Sequence, residues 1–395
     1  MEEVLDTEFR GRRGRLFWMA LRFSILNVLT LGLYRFWMKT RLRRYYWSSV
    51  RPGGLPLEYT GRPLEKLLGF LIAVTFLAFY IGLVNLVLMF LSLSLLNHDY
   101  GAYAISFVGV IPFIFYAAYR RRRYMMARTR WRGLRFGLAP GAWGYAWRAI
   151  GHWLLTILTA GLLWPRMTFW LEKYRTDRTH YGNLRLEQTG RWTMLFPAIV
   201  PLILGLLFCA AVIVVSIWQE ERQVMTGLVL GLPWLVYGLA HYRTVTFRRL
   251  TEAKTAGAIG FRAAPRPWRV FRIYMLGTTL IVLAVLAFFS LLGLVLAAFF
   301  AGNLDELGVI AELPERLRGL PTWAKAVLAL VVYFNAFVFW DVLTHVFLTF
   351  PLWRHFAETL QVTGAPALAA VRQRPRDAAQ EAEGFAEALD VGAAI

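Results

Sequence analysis

The chain has 395 residues, 58% of them hydrophobic and 17% charged, with a formal net charge of +20 at pH 7. A soluble domain usually carries about 25% charged residues, so the composition excludes an ordinary water-solvated globule and points to a chain solvated largely by lipid. The positive charge sits in blocks between apolar runs. That pattern suits an anionic membrane surface and argues against nucleic acid, which needs a continuous basic stripe. Cys209 is the single cysteine, so neither a disulfide nor a cysteine-based metal site can form within one chain. The opening residues MEEVLDTEFRGRRGR are acidic, then basic, without a short apolar core and cleavage site. They read as uncleaved and cytoplasmic.

In chain order, the first apolar stretch, Leu16–Trp37, is short and interrupted by Arg22. Leu67–Leu96 and Ala102–Tyr119 follow as predicted spanning helices, since about 20 residues at 1.5 Å each cross the hydrocarbon core. Trp143–Trp164 is again short, broken by Arg148 and His152. Met194–Trp218, Met225–Ala240, Ile273–Ala301 and Trp323–Trp340 complete six predicted spans.

The charges predict the threading. Met38–Arg62, Arg120–Arg135, Arg166–Arg191 and Arg243–Arg272 are strongly basic, whereas Asn97–Tyr103, Gln219–Gln223 and Gly302–Pro321 are short, or neutral to acidic. Positive loops stay in the cytoplasm. The six spans then form three outward hairpins with both termini cytoplasmic. Leu16–Trp37 and Trp143–Trp164 have basic segments on both sides, so each is expected to be re-entrant or interfacial. Trp18, Trp37, Trp143, Trp147, Trp153 and Trp164 suit headgroup depth. The alternative is that both are ordinary spans and the charge rule fails locally. The expected fold is mainly α and polytopic, with short cytoplasmic β-strands added.

Those strands come from a repeat. Shifted by 129 residues, Leu29–Arg62 lies on Leu158–Arg191 without a gap and matches at Leu29, Thr30, Gly32, Leu33, Met38, Leu42, Tyr45, Gly53, Leu55, Leu57, Glu58, Thr60, Gly61 and Arg62. Chance would give roughly three matches in so biased a chain, so the stretch reads as an internal duplication. Tyr119–Gly137 and Tyr242–Arg262 share the later half, and LTFPLWRHF after Trp340 is a partial fifth echo. The four endings are GGLPLE at Gly53, RGLRFG at Arg132, GNLRLE at Gly182 and GAIGFR at Gly257. Each places a glycine turn before residues that alternate with a strand's period of two. Four short strands are expected, candidates for one small sheet. The repeat divides the chain into residues 1–140, 141–264 and a partial unit 265–364, followed by an Ala/Glu-rich tail, 365–395, expected to be flexible.

These motifs resemble the YjgN family of bacterial inner-membrane proteins, which carry a domain of unknown function. The resemblance rests on NVLTLGLYRFWMKTRLRRYYWSSV at Asn27, GGLPLEYTG at Gly53, RTRWRGLRFG at Arg128, YGNLRLEQTG at Tyr181 and LTFPLWRHFAETLQV at Leu348. It covers nearly the whole chain and departs at Trp164–Met167 and Pro351–Trp353, where the later copies are less regular. It implies a polytopic protein of the bacterial inner membrane and no established activity.

The candidate binding residues are the arginines of the basic segments: Arg41, Arg43, Arg44, Arg120, Arg121, Arg122, Arg123, Arg175, Arg248 and Arg249. Arginine is a forked donor suited to phosphate, so these could hold anionic lipid headgroups, an anionic ligand or a protein partner; equally, they could only fix orientation. The ionisable or polar groups at membrane depth are Arg22, Asn85, His152, Asn335, Asp341 and His345. Asp341 and His345, four apart, share a helical face and could relay a proton or hold a cation, or simply bond each other. Asn85 and Asn335 are expected to bond between helices. No H-E-x-x-H, phosphate loop or G-x-S-x-G occurs, and the six histidines have no metal-ligand spacing. The expectation is a binding or scaffold protein without cofactor, metal or catalysis; a transporter or channel is the alternative, encouraged by the duplication.

Overall fold

A computed structural model describes residues 3–95, 101–301 and 319–375. Among these residues the helices, in chain order, are α1 (Arg13–Leu29), α2 (Arg35–Ser49), α3 (Pro63–Leu95), α4 (Gly101–Ala127), α5 (Ala142–Leu158), α6 (Trp164–Thr176), α7 (Phe196–Trp218), α8 (Leu228–Glu252), α9 (Pro267–Ala301), α10 (Thr322–Thr344) and α11 (Phe350–Glu358). A π-helical turn, His345–Thr349, joins α10 to α11. Five stretches are long and apolar enough to cross a bilayer: Pro63–Leu91, Trp192–Trp218, Gln223–Glu252, Pro267–Val295 and Thr322–Glu358. Their outward faces carry bare apolar side chains such as Phe79, Leu86, Val229 and Leu276, which water would penalise and lipid solvates. The sixth sequence-predicted span, Ala102–Tyr119, lies within α4 and is not among the five. Most of the Gly302–Pro321 segment lies outside the described residues.

The two broken apolar stretches are each split by a turn. α1 and α5 have 17 residues each, about 25 Å of helix, short of the ~30 Å hydrocarbon core. α1 ends at Leu31 (φ 50°) and Gly32 (φ 90°), and α5 ends at Ala160 (φ 47°) and Gly161 (φ 87°). In both turns a threonine caps the break: Thr30 Oγ1 donates to the Leu26 carbonyl and accepts from the Tyr34 N–H, and Thr159 Oγ1 does the same with Leu155 and Leu163. Past each turn one methionine meets the helix before it. Ser24 Oγ lies 3.9 Å from Met38 Sδ, and Thr156 Oγ1 lies 3.8 Å from Met167 Sδ. On α5, Tyr145, Ala146 and Ala149 are buried while Trp143, Trp147 and Trp153 are exposed.

The described chain forms two compact units: residues 1–11, 39–268 and 355–395, and residues 12–38 and 269–354. The first contains the strands. They are β1 (Leu5–Phe9), β2 (Val50–Pro52), β3 (Leu57–Tyr59), β4 (Thr129–Trp131), β5 (Leu134–Leu138), β6 (Thr179–Tyr181), β7 (Leu184–Arg185), β8 (Glu187–Gln188), β9 (Lys254–Ala256), β10 (Ile259–Ala263) and β11 (Leu360–Thr363). All pairings are antiparallel, in two sheets ordered β2-β1-β11-β10-β9-β8 and β3-β4-β5-β6-β7. The chain itself joins the sheets at both ends, through residues 53–56 between β2 and β3 and through Leu186 between β7 and β8. Neighbours in the circuit are thus neighbours in sequence, and β1 beside β11 closes it.

This corrects the expectation of four strands in one small sheet. The alternating runs after the glycines are β3, β5, β7 and β10, but each glycine centres a strand–turn–strand unit. Arg132 (φ 51°) and Gly133 (φ 77°) both take the left-handed conformation that a tight I′ turn requires. The first strand of each unit leads straight out of a helix and shows no alternation of its own.

The two sheets share one apolar core: Leu57, Trp131, Phe136 and Tyr181 from one, and Leu5, Ala256, Ile259 and Val362 from the other. Tyr181 donates to the Trp131 carbonyl at 3.0 Å, and burial pushes its hydroxyl up to about 12. The stretch after β11 belongs to this core. Ala365, Leu368 and Val371 are buried in it, the Ala365 N–H bonds the Glu3 carbonyl, and Asn183 and Arg372 exchange two hydrogen bonds. The Ala/Glu-rich composition predicts a flexible tail over 365–395; residues 365–371 are instead packed, because Leu368 and Val371 punctuate the alanines, and residues 376–395 lie outside those described. Leu368→Asp would set a carboxylate in this core at a cost of about 3 kcal/mol or more. Limited proteolysis should then cut within β9–β11 before the apolar helices are touched; unchanged protection would refute the packing role.

In the second unit α1 lies on α10 through Ala20, Val338 and Val342. α9 meets α10 through Phe288 and Phe339, with ring centroids 4.2 Å apart. Pro351 supplies no N–H to the helix ladder, which accounts for the adjoining π turn. The Phe347 carbonyl there faces Gly277, where a Cβ would stand 2.7 Å from it.

Candidate functional site

Each of the four basic segments predicted from the sequence contains a helix that runs into a strand: α2 into β2, the end of α4 into β4, α6 into β6, and the end of α8 into β9; α11, in the partial echo, leads towards β11. A helix carrying arginine every few residues presents some to solvent and turns others inward. The inward ones are spent on partners within the protein.

A dense contact of this kind centres on Glu172, a residue with no motif or spacing signal in the sequence. Arg122 of α4 grips its carboxylate with both terminal nitrogens, at 3.2 and 3.3 Å. Arg175, one turn along α6, and Lys254, at the start of β9, each approach to 2.8 Å. Burial by itself would raise the Glu172 carboxyl, but Arg122, Lys254 and Arg175 outweigh it and hold the group well below its ordinary value. One carboxylate thus ties α4, α6 and β9 together. Of the ten predicted arginines, only Arg122 and Arg175 are brought together here.

The others are dispersed. Arg43 is buried, its guanidinium 5.9 Å from the Tyr59 ring, with the Lys66 ammonium 5.2 Å from the same ring. Arg123 is buried and donates to the Leu138 carbonyl at 3.1 Å. Arg120 stacks over Tyr116, and Arg121 beside it is half-buried. Arg249 donates to the Met194 carbonyl. Arg44 is exposed and reaches the Gly61 carbonyl at 2.9 Å. Arg41 and Arg248 are exposed.

The polar residues at predicted membrane depth do not form a single cluster. Arg22 is exposed on α1. His152 Nδ1 lies 3.3 Å from Arg166 Nη1. The Asn335 amide donates to the Val331 carbonyl at 2.8 Å, a bond within α10; this corrects its predicted role between helices and follows from the four-residue reach back along a helix. The side chain of Asn85 lies outside those described. Asp341 accepts a 2.7 Å bond from Ser24, while His345 Nε2 stands 4.0 Å from its other oxygen. Across helices Asp341 is therefore met by Ser24, which carries no signal in the sequence. Among the described residues no three metal-ligating side chains come together.

Lipid-exposed apolar helices whose basic ends are tied to a closed circuit of short strands define a helical membrane protein. The chain belongs to the family of bacterial proteins of unknown function DUF898, whose model matches residues 4–388. It is also similar to a protein named inner membrane protein YjgN from Salmonella typhimurium, with 28% identity over 144 residues. That match covers 35% of this chain and 33% of the relative, so the chain spans about a third of the curated relative it matches. No solved structure matches.

Proposed function

We propose that this is a multi-pass protein of the bacterial inner membrane that acts as a scaffold, presenting a basic cytoplasmic face to anionic lipid headgroups or to a partner protein, with no catalytic step. The observation that carries this reading is the run of basic helices into one strand circuit, which gathers their exposed arginines, Arg41, Arg44 and Arg248, around a single folded body. Such a body needs water on its polar surface, and positive charge favours the cytoplasmic side.

The threading that goes with it has six spans in three hairpins. Supporting contacts run between α3 and α4 (Tyr80–Phe113, 5.5 Å), between α7 and α8 (Phe208–Trp234, 5.6 Å), and between α9 and α10. The α1–α2 and α5–α6 pairs enter and leave the cytoplasmic leaflet, each turning at its threonine-capped glycine. Two copies of that turn 129 residues apart support the internal duplication. Reporter fusions at Ser48, Asp177 and Glu220 test the threading. Ser48 and Asp177 should report inside and Glu220 outside; an outside signal at Ser48 or Asp177 would replace the re-entrant elements by full spans.

The contact of Asp341 with Ser24 and His345 favours a second reading, a transporter or channel for a small solute or ion. Proteoliposomes that show no ion or proton flux above the Asp341→Asn variant would eliminate it.

A further inference from the structure

Beside the entry of one candidate span lies a groove of about 400 Å³, lined by Phe169, Trp170, Lys173, Arg191, Trp192 and Thr193. Trp192 is the first residue of the stretch Trp192–Trp218, so the groove opens where apolar surface begins. Its floor is Phe169, buried with Leu195 and Leu250. Its rim holds Trp170, 40% exposed and edge-on to Phe169 at 5.7 Å, and Trp192, packed 5.3 Å from Phe196. Tryptophans at this depth suit the boundary between acyl chain and headgroup.

The charges in the groove are unequal in availability. The Lys173 ammonium is held by the Gln188 carbonyl at 2.7 Å and by Asp177 at 2.9 Å. Arg191 is exposed, and among the described residues no carboxylate pairs with it. That leaves one positive charge, matching the single negative charge of a phosphodiester, and its forked guanidinium is shaped for phosphate oxygens. Thr193 is also exposed beside it. The corresponding place 129 residues earlier has Arg62, but Arg41 and Pro63 stand where Trp170 and Trp192 do. The aromatic walls exist only in the second copy.

We propose that this groove is a specific site for one anionic phospholipid, its phosphate on Arg191 and its glycerol and upper acyl carbons between Trp170 and Trp192. The site rests on the scaffold reading, with the basic side at the cytoplasmic leaflet. The full chain is reconstituted in phosphatidylcholine nanodiscs containing phosphatidylglycerol, and native mass spectrometry counts the phosphatidylglycerol retained. One molecule should be held per chain. Arg191→Gln should weaken retention about tenfold, the loss of one charge-assisted contact. Trp170→Ala should also weaken it, Arg191→Lys should partly restore it, and circular dichroism should show the same helix content throughout. Undiminished retention in Arg191→Gln would overturn the site, as would equal retention of phosphatidylcholine. Displacement by millimolar inorganic phosphate would identify a free-anion site instead. If Arg191→Gln is silent while Arg41→Gln with Arg248→Gln lowers overall phosphatidylglycerol binding, the groove is wrong and the basic-face reading survives. If none of these variants changes lipid binding, both fall.

Discussion

Glu172→Gln should destabilise the strand-bearing unit by about 2–3 kcal/mol, the cost of leaving three half-buried charges without their counter-ion. Arg122, Arg175 and Lys254 would then face one another around a neutral amide. Lys254→Met should cost much less, because two guanidiniums still satisfy the carboxylate. The pH dependence follows from the same contacts. The folded carboxyl titrates well below its ordinary value, so its contribution is complete above the unfolded value of about 4.3 and is lost as pH falls towards and through the folded value. Thermal midpoints in detergent, measured from pH 7 down to pH 3, would show this. Wild type should lose stability on the acid side, and Glu172→Gln should start lower and lose less. A variant with the wild-type midpoint and the wild-type acid limb would show that the ion cluster contributes little.

The second large effect is expected at Gly238. A Cβ there would stand 2.6 Å from Leu202 Cα and 2.8 Å from Leu202 N. Both are backbone atoms, so no side-chain rotation relieves the clash. α7 and α8 meet at this point through Ala198, Ile199, Leu202, Tyr242 and Val245, and small residues are what let two helices approach so closely in lipid. Gly238→Val should therefore part the pair at a cost of about 3 kcal/mol. Cys209, buried on α7 and the single cysteine of the chain, reports the separation. Its Sγ lies 2.6 Å from where a Gly231 Cβ would be. Labelling by N-ethylmaleimide should accelerate about tenfold for each 1.4 kcal/mol of easier opening. Equal labelling rates in variant and wild type would show that the two helices tolerate the insertion.

Several elements are legible in the sequence because local chemistry dictates them. The shortness of the two broken apolar stretches was legible, but not the place of their breaks: Arg22, Arg148 and His152 lie within intact helices, and the chain turns instead at Gly32 and Gly161, where a left-handed backbone suits glycine. The glycines at 53, 133, 182 and 257 marked the turns, and the alternation after each marked a strand. β1 was not legible: LDTEF reads as an acidic leader, and only its pairing with β2 and β11, one of them more than 350 residues away, makes it a strand. The packed stretch from Ala365 to Val371 was hidden in the same way, since its alanines look alike in a tail and in a core.

The arginines show the division most clearly. Charge and hydropathy were enough to mark a helical membrane protein with basic segments between its apolar ones, because transfer free energy and backbone strain are properties of short stretches. Which arginines are spent inside and which remain exposed depends on contacts between distant segments. The repeat even misleads there: the shift of 129 places Glu172 opposite Arg43, a charge reversal at one buried position. Both side chains are buried, one among three cations and the other against an aromatic ring, and a buried charge is tolerated only with the partners that packing brings to it. Those partners come from α4 and β9, so it took the tertiary structure to separate Arg122 and Arg175, held on Glu172, from Arg191, which stands open at the edge of an aromatic groove.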